Sequence, residues 1–143
     1  VRGPQVSGEY LERDAKDGDG WFPTRDAGFI DEDGYLFLSG RADDVIVRGG
    51  ENISPGEIEE VLLAHDEVTD AMVLGIPSDE WGEAVVAVVV LTPGVDVHIA
   101  DLQAMVRDKL RSSRVPEQIL FEKELPYNEM GKLIRRQIKA LFL

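Results

Sequence analysis

Two stretches of the sequence, residues 39–53 and residues 125–136, combine glycine with charged side chains. Residue types suited to other chemistry are scattered: His65 and His98 lie far apart without the spacing of metal ligands, no serine lies in a Gly-x-Ser-x-Gly motif, and cysteine is absent. Lys132 follows a glycine but lacks the remaining residues of a phosphate-binding loop. We therefore expect no metal site in this chain and no self-contained hydrolase or nucleotidase, and we expect any chemistry in the two glycine-containing stretches.

Charge is distributed unevenly along the chain. The 143 residues carry 28 acidic and 15 basic side chains, a formal net charge of −13, yet bases outnumber acids in residues 101–143. A net acidic chain argues against a nucleic-acid partner, which requires positive potential over a broad face. It does not exclude a small anionic ligand near the basic C-terminal segment, because a local field can differ in sign from the mean.

The composition is that of a folded globular domain. Hydrophobic residues make up 43% and charged residues 30% of the chain, which is too apolar for a disordered protein. No apolar run is long enough to span a membrane, and the N-terminus has neither a signal-peptide pattern nor an initiator methionine. We therefore expect a piece of a longer chain, and the absence of cysteine is compatible with a cytoplasmic location.

Hydrophobic periodicity predicts an α+β fold with a small three-stranded sheet flanked by helices, preceded by a β-hairpin and hinge segment. The predicted strands are a hairpin over residues 28–38, a short strand at 45–47, longer strands at 68–76 and 83–91, and a short strand at 118–121. The predicted helices begin at Ser54, cover residues 99–111, and cover residues 133–142. Because residues 85–90 are apolar without alternation, they indicate a central strand that is buried on both faces.

Five motifs then occur in order along nearly the whole chain. They are residues 1–10, residues 20–26 with Arg25 where a Trp…Thr-Gly-Asp motif has glycine, residues 40–59, residues 81–83, and residues 126–136. Through these motifs the chain resembles the C-terminal domain of acyl-CoA synthetases in the ANL superfamily of adenylate-forming enzymes.

The resemblance implies a two-step reaction with ATP and CoA. A carboxylate attacks the α-phosphorus of ATP to give an acyl-adenylate and pyrophosphate, and the CoA thiol then displaces AMP. Mg²⁺ would accompany ATP on ligands outside this chain, and a fatty acid is the expected carboxylic acid. Residues 1–42 would be the end of a large N-terminal domain, and residues 43–143 a mobile lid that rotates between the steps, so the isolated chain is expected to be inactive.

The resemblance also assigns roles to individual residues. Lys132 matches the lysine of the adenylation step, where an ammonium would offset developing negative charge. Asp26 matches a carboxylate that accepts hydrogen bonds from the ribose hydroxyls, and Arg41 matches an arginine near the ribose and phosphate, with an ion pair to Asp43 or Asp44 as its alternative. Asp43 matches the hinge position.

Three further residues match the CoA side of the family site. Gly49 and Gly50 match a loop beside the pantetheine tunnel, where backbone without side chains permits close approach, although a simple hairpin turn is also compatible. Trp81 could stack on the CoA adenine or pack in the core. Two alternatives for the whole chain stay open: a non-catalytic interaction module, and the lid of an adenylating enzyme that loads a carrier protein.

Overall fold

The computed structural model describes residues 1–4, 9–10, 13–14, 16–41 and 44–142. The chain forms two compact units, Val1–Asp43 and Asp44–Leu143. The expected hinge residue, Asp43, lies outside the described residues.

Among its described residues, the first unit contains two antiparallel strand pairs, of which the second is a hairpin. Their strands are β1 (Glu9–Tyr10) with β2 (Arg13–Asp14), and β3 (Asp26–Ile30) with β4 (Leu36–Arg41). Asp31 closes the hairpin of β3 and β4, because its Oδ1 accepts hydrogen bonds from the amides of Asp33 and Tyr35 at 3.1 and 2.8 Å. The hairpin predicted from the turn chemistry of this segment is therefore confirmed.

The second unit is a five-stranded sheet with helices. Its strands are β5 (Ile46–Arg48), β6 (Glu51–Ile53), β7 (Val68–Ser78), β8 (Gly82–Leu91) and β9 (Gln118–Glu122). Its helices are α1 (Pro55–Leu63), α2 (Ile99–Lys109) and α3 (Arg135–Lys139), with a 3-10 turn at Ser112–Arg114. No helix in the described ranges is both long and apolar enough to cross a bilayer.

Strand β8 lies at the centre of this sheet. It pairs antiparallel with β7 over nearly its whole length, antiparallel with β5 where Arg48 faces Gly82, and parallel with β9. Its side chains alternate between two apolar clusters, so that Val85, Ala87 and Val89 enter one cluster while the residues between them enter the other. The prediction of a central strand buried on both faces is confirmed.

Each face of the sheet is covered by different elements. On the first face, Ile58 and Leu62 of α1 and Leu102 and Val106 of α2 pack in one cluster. On the second face, Ile138 of α3 is fully buried in the other cluster. The segment before α3 lies over the same face, because Leu125 belongs to this cluster and Leu133 packs against it.

The α+β class is confirmed, but the sheet has five strands and not three. One extra strand is β5, which was predicted at residues 45–47 but not counted in the three-stranded sheet. The other is β6, which was missed because its residues, Glu51–Ile53, contain a single apolar side chain and so show no strand periodicity. The final helix is also shorter than the predicted 133–142. Leu133 forms a β-bridge with Tyr127 and the Ile134 amide donates to the Pro126 carbonyl at 2.8 Å, which keeps both residues out of the helix.

Candidate active site

Asp26 and Arg41, the predicted nucleotide-binding residues, face each other across the hairpin of β3 and β4. The Arg41 guanidinium lies 3.0 Å from Oδ1 of Asp26 and also donates to the Thr24 carbonyl at 3.0 Å. The Arg41 and Asp26 side chains are 52% and 34% exposed, so a ligand can reach both. The partners predicted for an Arg41 ion pair were Asp43 and Asp44, but the partner that the structure shows is Asp26; Asp44 pairs with Arg135 at 3.2 Å, and Asp43 lies outside the described residues.

Arg25, the residue that replaces a glycine of the motif, has a φ of 58°. This left-handed conformation is natural for glycine and costs other residues about 1–2 kcal/mol. Arg25 therefore keeps a backbone conformation that favours glycine, immediately before Asp26.

Lys132 lies in a tight turn within residues 125–133, which we call the lysine loop. Asn128 organises the turn. Its side-chain Oδ1 accepts hydrogen bonds from the backbone amides of Met130 and Lys132 at 3.0 and 2.8 Å, and its backbone amide donates to the Lys132 carbonyl at 2.8 Å. Gly131 has a φ of 72°, which the turn requires and glycine allows. The chain on either side of Lys132 is therefore held in one conformation.

The lysine loop is fixed to the sheet at its base and open at its tip. Leu125 is buried and Leu133 packs against the second apolar cluster, whereas Met130 is 91% exposed. Lys132 is exposed, and its ammonium forms no hydrogen bond or ion pair with any described residue. Such an ammonium is available to an external carboxylate or phosphate.

Gly49, Gly50 and Trp81 come together in what we call the glycine corner. The two glycines form the turn between β5 and β6 with φ of 56° and 82°, the conformation of a type I′ turn. The Gly49 amide donates to the Trp81 carbonyl at 2.8 Å, and a Cβ on Gly49 would lie 3.2 Å from the Trp81 ring. The hairpin interpretation of the glycines is therefore correct, and the close approach to Trp81 accompanies it.

Trp81 is 43% exposed and does not belong to either apolar cluster. Core packing is therefore the wrong interpretation of this residue. The Arg48 guanidinium lies over its ring at 5.5 Å from the centroid, and the same guanidinium binds Glu117 at 2.7 Å. The exposed part of the ring remains available for stacking.

Glu83 positions the glycine corner, a role that the sequence did not suggest. Its Oε2 accepts a hydrogen bond from the Val47 amide of β5 at 2.7 Å. A Cβ on Gly75 would lie 2.9 Å from the Glu83 carboxylate, so this glycine makes room for it. Glu83 follows Trp81 and Gly82 in a recognised motif, but only the pairing of β5 with β8 shows what its carboxylate binds.

Two further carboxylates, on Glu51 and Glu57, bind one arginine, and Glu51 directly follows Gly50 of the glycine corner. Arg114 binds Glu51 at 2.6 Å and Glu57 at 3.2 Å. Hydrogen bonds from the Ser113 side chain and from Arg114 lower the pKa of Glu51.

Among the described residues, no group of three or more histidine, aspartate or glutamate side chains is arranged to hold a metal ion.

Comparison with known proteins identifies relatives of the whole chain. It is 41% identical over 145 residues to a 2-succinylbenzoate–CoA ligase of Geobacillus kaustophilus, covering 99% of this chain and 30% of the relative. The structure of the o-succinylbenzoate CoA synthetase from Bacillus subtilis, in complex with its acyl-adenylate intermediate, matches 96% of this chain and 29% of that chain, with a TM-score of 0.89 and 34% identity. ATP-bound MatB from Rhodopseudomonas palustris matches 90% of this chain and 25% of that chain, with a TM-score of 0.82 and 34% identity.

The chain thus spans about 30% of the length of the curated relatives it matches. The family model described as the AMP-binding enzyme C-terminal domain matches residues 57–132, which is more than half of the chain and includes Trp81 and Lys132. By this match, the chain belongs to the AMP-binding enzyme C-terminal domain family of the ANL adenylate-forming enzymes.

Proposed function

We propose that the chain is the C-terminal part of an ATP-dependent, AMP-forming acyl-CoA synthetase. The observation that carries the proposal is the exposed Lys132 ammonium on a conformationally fixed loop, at the end of the family match. In the first step an oxygen of the substrate carboxylate attacks the α-phosphorus of ATP and pyrophosphate leaves. In the second step the CoA sulfur attacks the acyl carbon and AMP leaves.

Lys132 serves the first step. Negative charge develops on the oxygens around the α-phosphorus as the new bond forms, and a preorganised cation there stabilises the transition state. The hydrogen bonds of Asn128 fix the backbone on both sides of Lys132, so only its side chain remains to be ordered when it meets the substrate.

The glycine corner serves the second step. The turn of Gly49 and Gly50 presents backbone without side chains to a narrow ligand, and nothing lies within 4 Å of a Cβ built on Gly50. The exposed face of Trp81 suits stacking on a purine ring. Thioester formation would use these residues while Lys132 is withdrawn.

The exposed side chains of β3 and β4 support the proposal that residues 1–42 are the end of a larger domain. Phe29, Ile30, Leu36 and Leu38 are each at least 60% exposed. An isolated two-stranded hairpin is marginally stable in water, and apolar side chains on it need further chain to cover them. Rotation of residues 43–143 about Asp43 between the two steps belongs to the same proposal.

The relatives guide the choice of acid. Their names support a CoA ligase and favour 2-succinylbenzoate over the fatty acid expected from the sequence. We therefore propose 2-succinylbenzoate as the first acid to assay, with a long-chain fatty acid as the comparison. Magnesium would accompany ATP on ligands outside this chain, and a cytoplasmic location stays a prediction.

Product analysis of the full-length protein tests this function. With ATP, CoA and the correct acid, AMP and acyl-CoA should form in equal amounts and no ADP should appear. AMP formation that requires a carrier protein in place of CoA would support the carrier-loading alternative. No AMP formation with any acid would leave the interaction module as the function of the chain.

A further inference from the structure

The orientation of the lysine loop depends on more than its internal bonds. Asn128 holds the turn with its hydrogen bonds, and Gly131 permits the left-handed backbone that the turn needs. Leu125 and Leu133 hold the two ends of the loop on the second apolar cluster. Apolar contacts at the base set the position of the loop but are not directional, so they control its tilt over the sheet weakly. A polar contact between the loop and the sheet would fix that tilt.

Tyr127 makes this contact. Its hydroxyl donates a hydrogen bond of 2.6 Å to Oδ2 of Asp70 on β7. Within the described part of the chain, this is the only side-chain hydrogen bond that joins residues 125–133 to another element. Oδ1 of Asp70 accepts a hydrogen bond from the Ala71 amide at 2.9 Å, which restrains the carboxylate.

A β-bulge places Asp70 where Tyr127 can reach it. The register of β7 against β8 shifts between Val68 and Asp70. Because of this extra residue, Val68 and Ala71 both enter the cluster on the first face, although regular alternation would put them on opposite faces. Asp70 then shares its face with Met72, which packs under the lysine loop.

The charges around this contact fix the direction of the hydrogen bond. The bond to Asp70, together with desolvation and the negative charges of Asp70 and Glu59, raises the pKa of Tyr127 to about 12. A tyrosine hydroxyl is protonated at neutral pH at its ordinary pKa as well, and a carboxylate can only accept. Tyr127 therefore donates to a charged group, which makes a stronger bond than one between two neutral groups.

We infer that Tyr127 and Asp70 are positioning residues that orient the lysine loop so that Lys132 meets the reacting phosphate. The inference rests on the proposed function of Lys132. Tyr127 is five residues from Lys132, and its backbone forms the β-bridge with Leu133, the residue that follows the lysine. A tilt of the loop displaces the ammonium at its end, and a displacement of about 1 Å can reduce a reaction rate by about 10²-fold.

The two half-reactions of the full-length enzyme test this inference. Tyr127→Phe and Asp70→Ala should each lower kcat for adenylation by about 10-fold, the worth of one strong hydrogen bond, with a small change in the KM for ATP. Thioester formation from supplied acyl-adenylate should stay within about 2-fold of the wild-type rate. Asp70→Asn keeps an acceptor oxygen and should fall between the wild type and Asp70→Ala.

A double variant and a matched tyrosine sharpen the test. Tyr127→Phe combined with Asp70→Ala should be no slower than either single variant, because both remove the same bond. Tyr35→Phe removes the same atom from a tyrosine of the first unit whose hydroxyl binds no described residue, and it should not lower adenylation selectively.

The outcomes separate this inference from the function on which it rests. Equal losses in both half-reactions would show a merely structural role and overturn the inference. Wild-type adenylation by Tyr127→Phe, in an assay where Lys132→Ala is slowed by about 10²-fold or more, would also overturn it and leave the proposed function standing. Absence of adenylation by the wild-type enzyme with every acid tried would overturn both.

Discussion

Replacing Gly49 by alanine adds one methyl group at the point where the turn between β5 and β6 meets Trp81. Gly49 has a φ of 56°, and its Cβ would lie 3.2 Å from Cε3 and 3.7 Å from Cζ3 of the Trp81 ring. The neighbouring Gly50 has a φ of 82° with nothing within 4 Å of its Cβ position. The two alanine variants thus share backbone strain but differ in the contact with tryptophan.

The structure gives the size of each effect. A non-glycine residue in the left-handed region costs about 1–2 kcal/mol, which both variants incur. At Gly49 the Trp81 ring must also retreat by a few tenths of an ångström, and we estimate about 1 kcal/mol for this crowding. We therefore expect Gly50→Ala to lower the free energy of unfolding by about 1 kcal/mol and Gly49→Ala by about 2 kcal/mol.

Two assays separate stability from function. Urea unfolding of the 143-residue chain, followed by circular dichroism, gives the difference between the two variants. In the full-length enzyme, Gly49→Ala should slow thioester formation by about 10-fold and spare adenylation, whereas Gly50→Ala should affect thioester formation less. Equal unfolding free energies for the two variants, or a loss confined to adenylation, would refute this account of the glycine corner.

Three further predictions concern other parts of the chain. Gly75→Ala places a Cβ 2.9 Å from the Glu83 carboxylate, and we expect it to lower the free energy of unfolding in urea by about 2 kcal/mol. The loss should be smaller when Glu83→Ala is also present. Additive losses from the two substitutions would contradict the contact. Burial raises the pKa of Glu59 above 4.5. Between pH 4.5 and this raised pKa, the native state therefore binds more protons than the unfolded state. The free energy of unfolding should fall as the pH rises through that range. Glu59→Gln should flatten this part of the stability profile, and an unchanged slope would exclude Glu59 as its source. Asp26→Ala removes the proposed ribose acceptor beside Arg41 and should raise the KM for ATP in the full-length enzyme by about 10-fold; an unchanged KM would exclude that role.

The elements predicted correctly from the sequence are those with strong local signals. Strand β8 is an unbroken apolar run, and α1 begins at Ser54 and Pro55, where Pro55 occupies a position that proline favours. Strand β6 and the true length of α3 were missed, because both depend on backbone pairing with a neighbouring segment and not on apolar periodicity. Leu133 and Ile134 continue a helical apolar pattern, yet the β-bridge of Leu133 with Tyr127 and the hydrogen bond from the Ile134 amide to the Pro126 carbonyl keep both residues out of the helix.

The candidate site was predicted in part, because motifs identify residues but not all of the contacts that position them. Motif resemblance grouped Gly49, Gly50 and Trp81, and the structure places Gly49 in contact with Trp81 and Gly50 beside it in the turn. The bond between Tyr127 and Asp70 joins residues far apart in sequence and depends on a β-bulge that has no clear sequence signal. The net charge of −13 also obscures local charge, because the exposed ammonium of Lys132 lies in the basic C-terminal segment.

The most direct test of the central claim is the effect of Lys132→Ala on the two half-reactions of the full-length enzyme. Adenylation, measured as ATP–pyrophosphate exchange with the substrate acid, should fall by about 10²–10³. Thioester formation from supplied acyl-adenylate should be retained. Lys123→Ala, at an exposed lysine of the same unit, should leave both rates unchanged, and adenylation by Lys132→Ala at the wild-type rate would contradict the role of Lys132.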